Sequence, residues 1–210
     1  MNLKKKVLLP LAGPVAAILS WLLVLAWVPP VSAGEPTEQV RQTADEVVKI
    51  LRNKELKRPE KKEERRRKLR QVVDRQFDFQ EMAKRSLGIY WNKRTPGEQK
   101  EFVALFSDLL QNTYIRKIER YESGDEKVNY LSEKVEGQYA VVKTEIITSK
   151  GSPIPVDYKI FKDKNKWEVY DIIIEGVSLV NNYRSQFRQI ITSGSYEELV
   201  KRLKDKSKNE

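Results

Sequence analysis

Apolar residues recur at helical spacing through the first half of the chain and at strand spacing through much of the second. Val40, Ala44, Val47 and Leu51 fall at offsets of four, three and four, one face of an amphipathic helix. Pro59 suits a first helical position, and Leu69, Val72, Val73 and Phe77 give the following helix an apolar end. Asp78 is placed to cap a third helix carrying Met82, Ala83 and Leu87, with Gly88 as its stop. Thr95-Pro96-Gly97-Glu98 is the clearest start signal: Thr95 caps, Pro96 fits the first turn, and Glu98 completes a capping box. The helix that follows puts Phe102, Leu105, Phe106, Leu109, Leu110, Thr113 and Tyr114 on one face, with Gly124 as its natural end.

Beyond Gly124 the period becomes two. Residues 127–132, 138–148, 153–162 and 166–174 read as strands, joined by Glu136-Gly137, Lys150-Gly151-Ser152 and Asp163-Lys164-Asn165. Loops this short predict sequential antiparallel pairing. Ile154, Val156, Tyr158 and Ile160 share one face; Pro155, Asp157, Lys159 and Phe161 share the other. Ser178 then caps a helix with Val180, Tyr183, Phe187 and Ile190, ended by Gly194. Ser195-Tyr196-Glu197-Glu198 opens a last helix carrying Leu199, Val200 and Leu203. The expected fold class is α+β: an antiparallel meander of about four strands packed against several helices, with a hydrophobic cavity where facing side chains leave a gap.

The N-terminal 33 residues read differently. MNLKKK is a positive start, Val7 to Val28 carries no charge, and Val31-Ser32-Ala33 offers the small residues of a cleavage site before Gly34. A cleaved export signal over 1–33 is therefore expected, followed by a single domain, 34–210. That domain divides into a helical part (36–124), a strand-rich part (127–174) and C-terminal helices (178–206), and it is expected in the periplasm.

Charge follows the same division. The formal charge is +10, and setting aside the three lysines of the leader leaves +7. The segment 52–70 holds eleven Lys/Arg against four Glu, so it accounts for that surplus by itself. Such a run reads first as a solvated helix face. It lacks the interleaved aromatics of a nucleic-acid footprint, so no nucleic-acid partner is expected.

The chain has no cysteine and no histidine, which removes thiolate chemistry, Ser-His-Asp triads and the usual zinc ligand sets. No metal site or cofactor is expected. Asp171 and Glu175 bracket the run Ile172-Ile173-Ile174, but their Cα atoms would be roughly 13 Å apart at strand rise, too far for a glycosidase pair. On simple alternation Asp171 shares the face of Trp167 and Val169. It is expected to be structural, pairing with Arg184 or accepting from a tyrosine or a backbone amide. Gly176 is expected to supply the turn into the next helix. The protein is not expected to be an enzyme.

A resemblance sharpens this reading. Residues 167–187, WEVYDIIIEGVSLVNNYRSQF, resemble the signature of the periplasmic lipid-carrier component of the Mla system, also known as the toluene-tolerance family, auxiliary to an ABC transporter. Phe77-Asp78-Phe79, Leu87-Gly88, Trp91, Thr95-Pro96, Gln99, Phe102, Phe106, Leu109-Leu110 and Tyr114 match an earlier block of that family in order and spacing. The basic 52–70 segment departs from its pattern. The resemblance implies a soluble, monomeric periplasmic protein that holds a phospholipid by its acyl chains and moves it between membranes. Its implied partners are an inner-membrane ABC transporter with an MCE-domain subunit and an outer-membrane lipoprotein complex. The candidate cavity wall is then Phe102, Phe106, Leu110 and Tyr114 from the long helix, with Val141, Val156, Tyr158, Tyr170, Ile172, Ile174, Val177, Val180, Tyr183 and Phe187 from the strands and later helices. Each of these also suits plain core packing. The competing reading is an exported adaptor domain with a filled core.

Overall fold

The computed structural model describes residues 34–119, 126–147, 153–164 and 166–208. The expected leader, the Gly124 helix stop and the Lys150-Gly151-Ser152 loop lie outside these residues. Helix α1, Glu35–Arg52, has Glu35 and Glu38 in its first turn and Lys49 and Arg52 in its last, an order that suits the helix dipole. A 3-10 turn at Pro59–Lys61 leads into α2, Lys62–Gln76. Phe77, expected as that helix's apolar end, instead forms an isolated bridge to Val169, and the Asp78 N–H donates to the Val169 carbonyl at 3.0 Å.

Helix α3, Phe79–Leu87, begins where Asp78 accepts the Glu81 N–H at 2.8 Å and ends at Gly88, whose φ of +54° favours glycine. Helix α4 is Pro96–Glu119. Its capping box closes in both directions: Thr95 Oγ1 accepts from the Glu98 N–H at 3.3 Å, and Glu98 Oε2 accepts from the Thr95 N–H at 2.7 Å. At the far end of α4, Glu119 is almost buried between Arg65 (3.1 Å) and Arg66 (2.9 Å), which ties α4 to α2. Other charges of the basic segment are met locally, Arg58 by Glu55 and Glu60, and Lys61 by Glu64.

Strands β1 (Lys127–Glu136), β2 (Tyr139–Ile147), β3 (Ile154–Asp163), β4 (Lys166–Ile174) and a two-residue β5 (Val177–Ser178) are hydrogen-bonded in chain order, each pair antiparallel. The expected α+β meander is present, with β5 as a short addition. Glu175 and Gly176 join β4 to β5 at φ +49° and +81°, the paired positive angles of a two-residue hairpin turn. Helix α5, Leu179–Ser193, is capped by Ser178, which accepts the Asn181 N–H at 3.1 Å. Helix α6, Tyr196–Lys208, is capped by Ser195, which accepts the Glu198 N–H at 3.2 Å.

Two register shifts shape the sheet, at Leu131 in β1 and at Tyr170 in β4. The second corrects the simple alternation. Val169 pairs with Ile160 and Ile172 with Tyr158, and Ile160 and Tyr158 are two apart on β3. Val169 and Ile172 therefore share a face, while Asp171, opposite Lys159, turns to the other. A bulge is how one strand presents Trp167, Val169, Ile172 and Ile174 on a single side.

Among the described residues, most of the buried apolar side chains fall into two clusters rather than one. Met82, Leu87, Phe102, Phe106, Val180, Phe187 and Leu199 belong to a helical core built by α3, α4, α5 and α6. Val40, Ala140, Val142, Ile160, Trp167 and Val169 form a second core, where α1 lies on the sheet. Phe77 packs against both. Helices α3 and α5 reach the sheet along β4, whereas α4 packs chiefly on α2, α3 and α6.

Candidate functional site

Cross-strand register defines the sheet face on which α1 sits. One row runs Ala140, Ile160, Val169, all almost wholly enclosed under α1. The next runs Val142, Tyr158, Ile172, and the third Tyr130, Thr144, Val156, Ile174. A fourth holds Val128, Ile146 and Ile154. Val142, Thr144 and Val156 in the second and third rows are also buried, but Tyr158, Ile172, Ile174, Tyr130, Val128, Ile146 and Ile154 are only half-buried. Beyond the first row buried residues therefore alternate with half-buried ones, and the apolar side chains of Tyr158, Ile172, Ile174, Tyr130, Val128, Ile146 and Ile154 are not fully covered by either core. That half-enclosed surface is the candidate site.

The polar groups at its margins are mostly phenols. Burial pushes the Tyr158 hydroxyl up to about 12. Burial, with the Tyr183 hydroxyl nearby, does the same for Tyr114 on α4, also to about 12. Tyr130 is raised further by burial and by neighbouring Tyr158, and Arg41 of α1 lies 4.0 Å over its ring. Among the described residues, neither the buried Tyr130 hydroxyl nor Thr113 Oγ1 on α4 has a hydrogen-bond partner. Thr144, fully buried between the rows, is satisfied by the Val156 carbonyl at 2.8 Å. Such a surface offers area for apolar chains and a few hydroxyls at its edge, and no nucleophile with a base.

The candidate wall residues separate into groups on this frame. Val156, Tyr158, Ile172 and Ile174 come together on the inner face. Val141 and Tyr170 do not join them: Val141 pairs with Lys159 on the opposite face, and Tyr170, bulged, sits against Tyr139 and Phe161 with Arg85 4.2 Å over its ring. Phe102, Phe106, Tyr183 and Phe187 contact one another ring to ring inside the helical core, with Leu110 and Val180 buried in the same cluster. Tyr114 is half-buried at that core's margin. Val177 is 55% exposed on the short edge strand. Ile154 lies on the face that alternation gives it, beside Val156 and Tyr158, though it is absent from the candidate wall; Tyr130, Val128 and Ile146 are absent from both. Their signal was the pairing register, which alternation within one strand does not carry.

Asp171 is 4% exposed and both of its oxygens are used. Oδ1 accepts the Val180 N–H at 3.1 Å and Oδ2 accepts the Ser178 hydroxyl at 2.6 Å. Of the three expected partners, Arg184, a tyrosine and a backbone amide, the amide is the one found, joined by the Ser178 hydroxyl; Arg184 instead donates from Nε to the Arg85 carbonyl at 2.7 Å. Glu175 is exposed in the turn. Asp171 thus pins the start of α5 to β4 with both of its oxygens. Among the described residues no three carboxylates gather to hold a metal ion.

Residues 41–205 match the family described as MlaC protein. The intermembrane phospholipid transport system binding protein MlaC of Haemophilus influenzae is 24% identical over 122 residues. That alignment spans 56% of this chain and 56% of the relative, a little over half the length of each. Among solved structures, the phospholipid-binding protein from Ralstonia solanacearum, in complex with a phospholipid, superposes with a TM-score of 0.72 at 25% identity. The superposition covers 84% of this chain and 98% of that one.

Proposed function

The chain belongs to the MlaC family, and from that membership we propose that it is a periplasmic phospholipid carrier whose half-enclosed sheet face buries the acyl chains. It is a binding and transport protein rather than an enzyme, and its ligand is the lipid itself. The observation that carries this reading is the inner face that neither core closes, in a fold shared with a protein holding a phospholipid. Tyr158, Ile172, Ile174 and Val156 are its proposed wall, joined by Tyr130, Ile146 and Ile154. Tyr114 and Tyr183 are proposed to border it from the helical side.

The energetics suit a carrier. Each buried methylene contributes about 0.8 kcal/mol, so acyl chains supply gross affinity without headgroup selection. Release then needs an opening, or transfer to another apolar groove. The proposed route runs between an inner-membrane ABC transporter with its MCE-domain subunit and an outer-membrane lipoprotein complex, with this chain as a monomeric shuttle. Residues 1–33 are proposed to be the export signal, cleaved between Ala33 and Gly34. Organic extraction of the purified protein, followed by mass spectrometry, tests the central claim. Phospholipid at stoichiometric amount is expected; a clean extract from folded protein would favour the adaptor reading with a filled core.

A further inference from the structure

The start of α1 makes an unusually close contact with β1. Glu133 Oε2 accepts the Thr37 N–H at 2.8 Å and the Thr37 hydroxyl at 2.5 Å, so a carboxylate on the edge strand caps the first turn of the helix. Gly34 lies against the same carboxylate. A Cβ there would overlap Glu133 Oε1 and come within 2.8 Å of its Cδ, so any larger residue would push the carboxylate away from its present seat. Since N, Cα and Cβ of one residue are one or two bonds apart, the Gly34 nitrogen is within about 5 Å of that carboxylate. Among the described residues, Oε1 accepts no hydrogen bond. The other acids of the first turn are already engaged, Glu35 with Lys162 at 2.8 Å and Glu38 with Arg41 at 3.5 Å.

We propose that Glu133 is a built receptor for the processed N-terminus: once the leader is removed, the new α-ammonium of Gly34 pairs with Glu133 and completes the seating of α1 on the sheet. This rests on the cleavage site read above. Hydrolysis of the Ala33–Gly34 bond takes up one water, leaves a carboxylate on Ala33 with the departing leader, and leaves a protonated amine on Gly34. Before cleavage the Gly34 nitrogen is a neutral amide and Glu133 faces no full charge there. After cleavage the ammonium stands at the positive end of the helix dipole, which by itself disfavours it. A carboxylate placed beside it turns that into a favourable pairing. The consequence reaches the candidate site, because α1 seals one end of the inner face through Val40.

The test uses exported protein purified from the periplasm. N-terminal sequencing decides the premise: Gly34 as first residue is expected, and any other terminus overturns both the cleavage site and the receptor. With Gly34 established, the pH dependence of α-amino acetylation is followed by mass spectrometry of the N-terminal peptide. The midpoint is expected about one unit or more above the ordinary α-amino range of roughly 7.7–8.0, returning to that range in Glu133→Gln. A wild-type midpoint inside the ordinary range overturns the receptor while leaving the cleavage site standing. A second variant with one serine inserted before Gly34 keeps Glu133 and its Thr37 bonds but moves the ammonium away. It too is expected to titrate normally, and an unchanged high midpoint there would overturn the pairing.

Discussion

At the scale of single residues, the two acids that first suggest chemistry differ in setting: Glu175 is exposed in a turn, whereas Asp171 is bound into the backbone. Asp171 is almost wholly enclosed and its carboxylate is divided between the Val180 N–H and the Ser178 hydroxyl. Replacing it by Ala leaves a buried N–H without an acceptor, which costs about 1–3 kcal/mol. Urea unfolding should show that loss for Asp171→Ala, and a smaller one for Asp171→Asn, which keeps one carbonyl oxygen. The phenols carry a second expectation, one of pH. Tyr114 and Tyr158 are both raised to about 12 by burial, so the folded protein holds these protons more tightly than the unfolded chain, where tyrosine titrates near about 10. Stability from these groups is therefore complete below about pH 10 and declines as pH rises toward 12. Absorbance titration of phenolate should show a late phase that shrinks in Tyr158→Phe. Loss of that phase in Tyr158→Phe without any late phase assignable to Tyr114 would contradict the shared burial.

At the scale of elements, the helices were legible because their ends are written locally. Asp78, Thr95 and Ser178 cap where the sequence places them, and Gly88 and Gly194 follow the helices they were expected to end. The sheet was legible in order but not in phase. Nothing in YDIII announces that Tyr170 is bulged, and the bulge decides which side Ile172 and Ile174 face. Tyr170 shares the alternating phase of Ile172 and Ile174 in the sequence for this reason, yet it lies in an outer aromatic group with Tyr139 and Phe161; Val141, on an unbulged strand, simply pairs with Lys159 on the opposite face. The same frame separates two substitutions that alternation alone treats alike. Ile172 is half-buried on the open part of the inner face, whereas Val180 is 3% exposed inside the helical core. Ile172→Trp should fill the proposed lipid space, lowering phospholipid per protein in extracts while helix and strand content in circular dichroism holds. Val180→Trp should overpack a closed core and cost about 1–3 kcal/mol in unfolding. Equal lipid content in folded Ile172→Trp and wild type would remove Ile172 from the wall.

At the scale of the whole molecule, two closed cores with an unclosed face imply a protein that folds without its ligand but is more stable with it. The helical core is complete around Phe102 and Phe106, each 0% exposed, and the sheet core around Ile160 and Val142 is equally sealed. Neither cluster needs a lipid to exclude water. The surface from Tyr158 to Ile154, by contrast, is half-buried, and in an empty carrier it is the apolar area left to solvent. Removing the lipid by solvent exchange should therefore leave helix and strand content intact in circular dichroism while lowering the melting temperature. A ligand that binds only the folded state adds RT ln(1 + [L]/Kd), about 2.7 kcal/mol at a hundredfold excess over Kd. Adding back phospholipid in mixed micelles should restore the transition in a concentration-dependent way, because the gain follows mass action. If the delipidated protein unfolds outright, one of the two cores depends on the lipid. If its melting temperature is unchanged with and without lipid, the inner face is not where the chains are held.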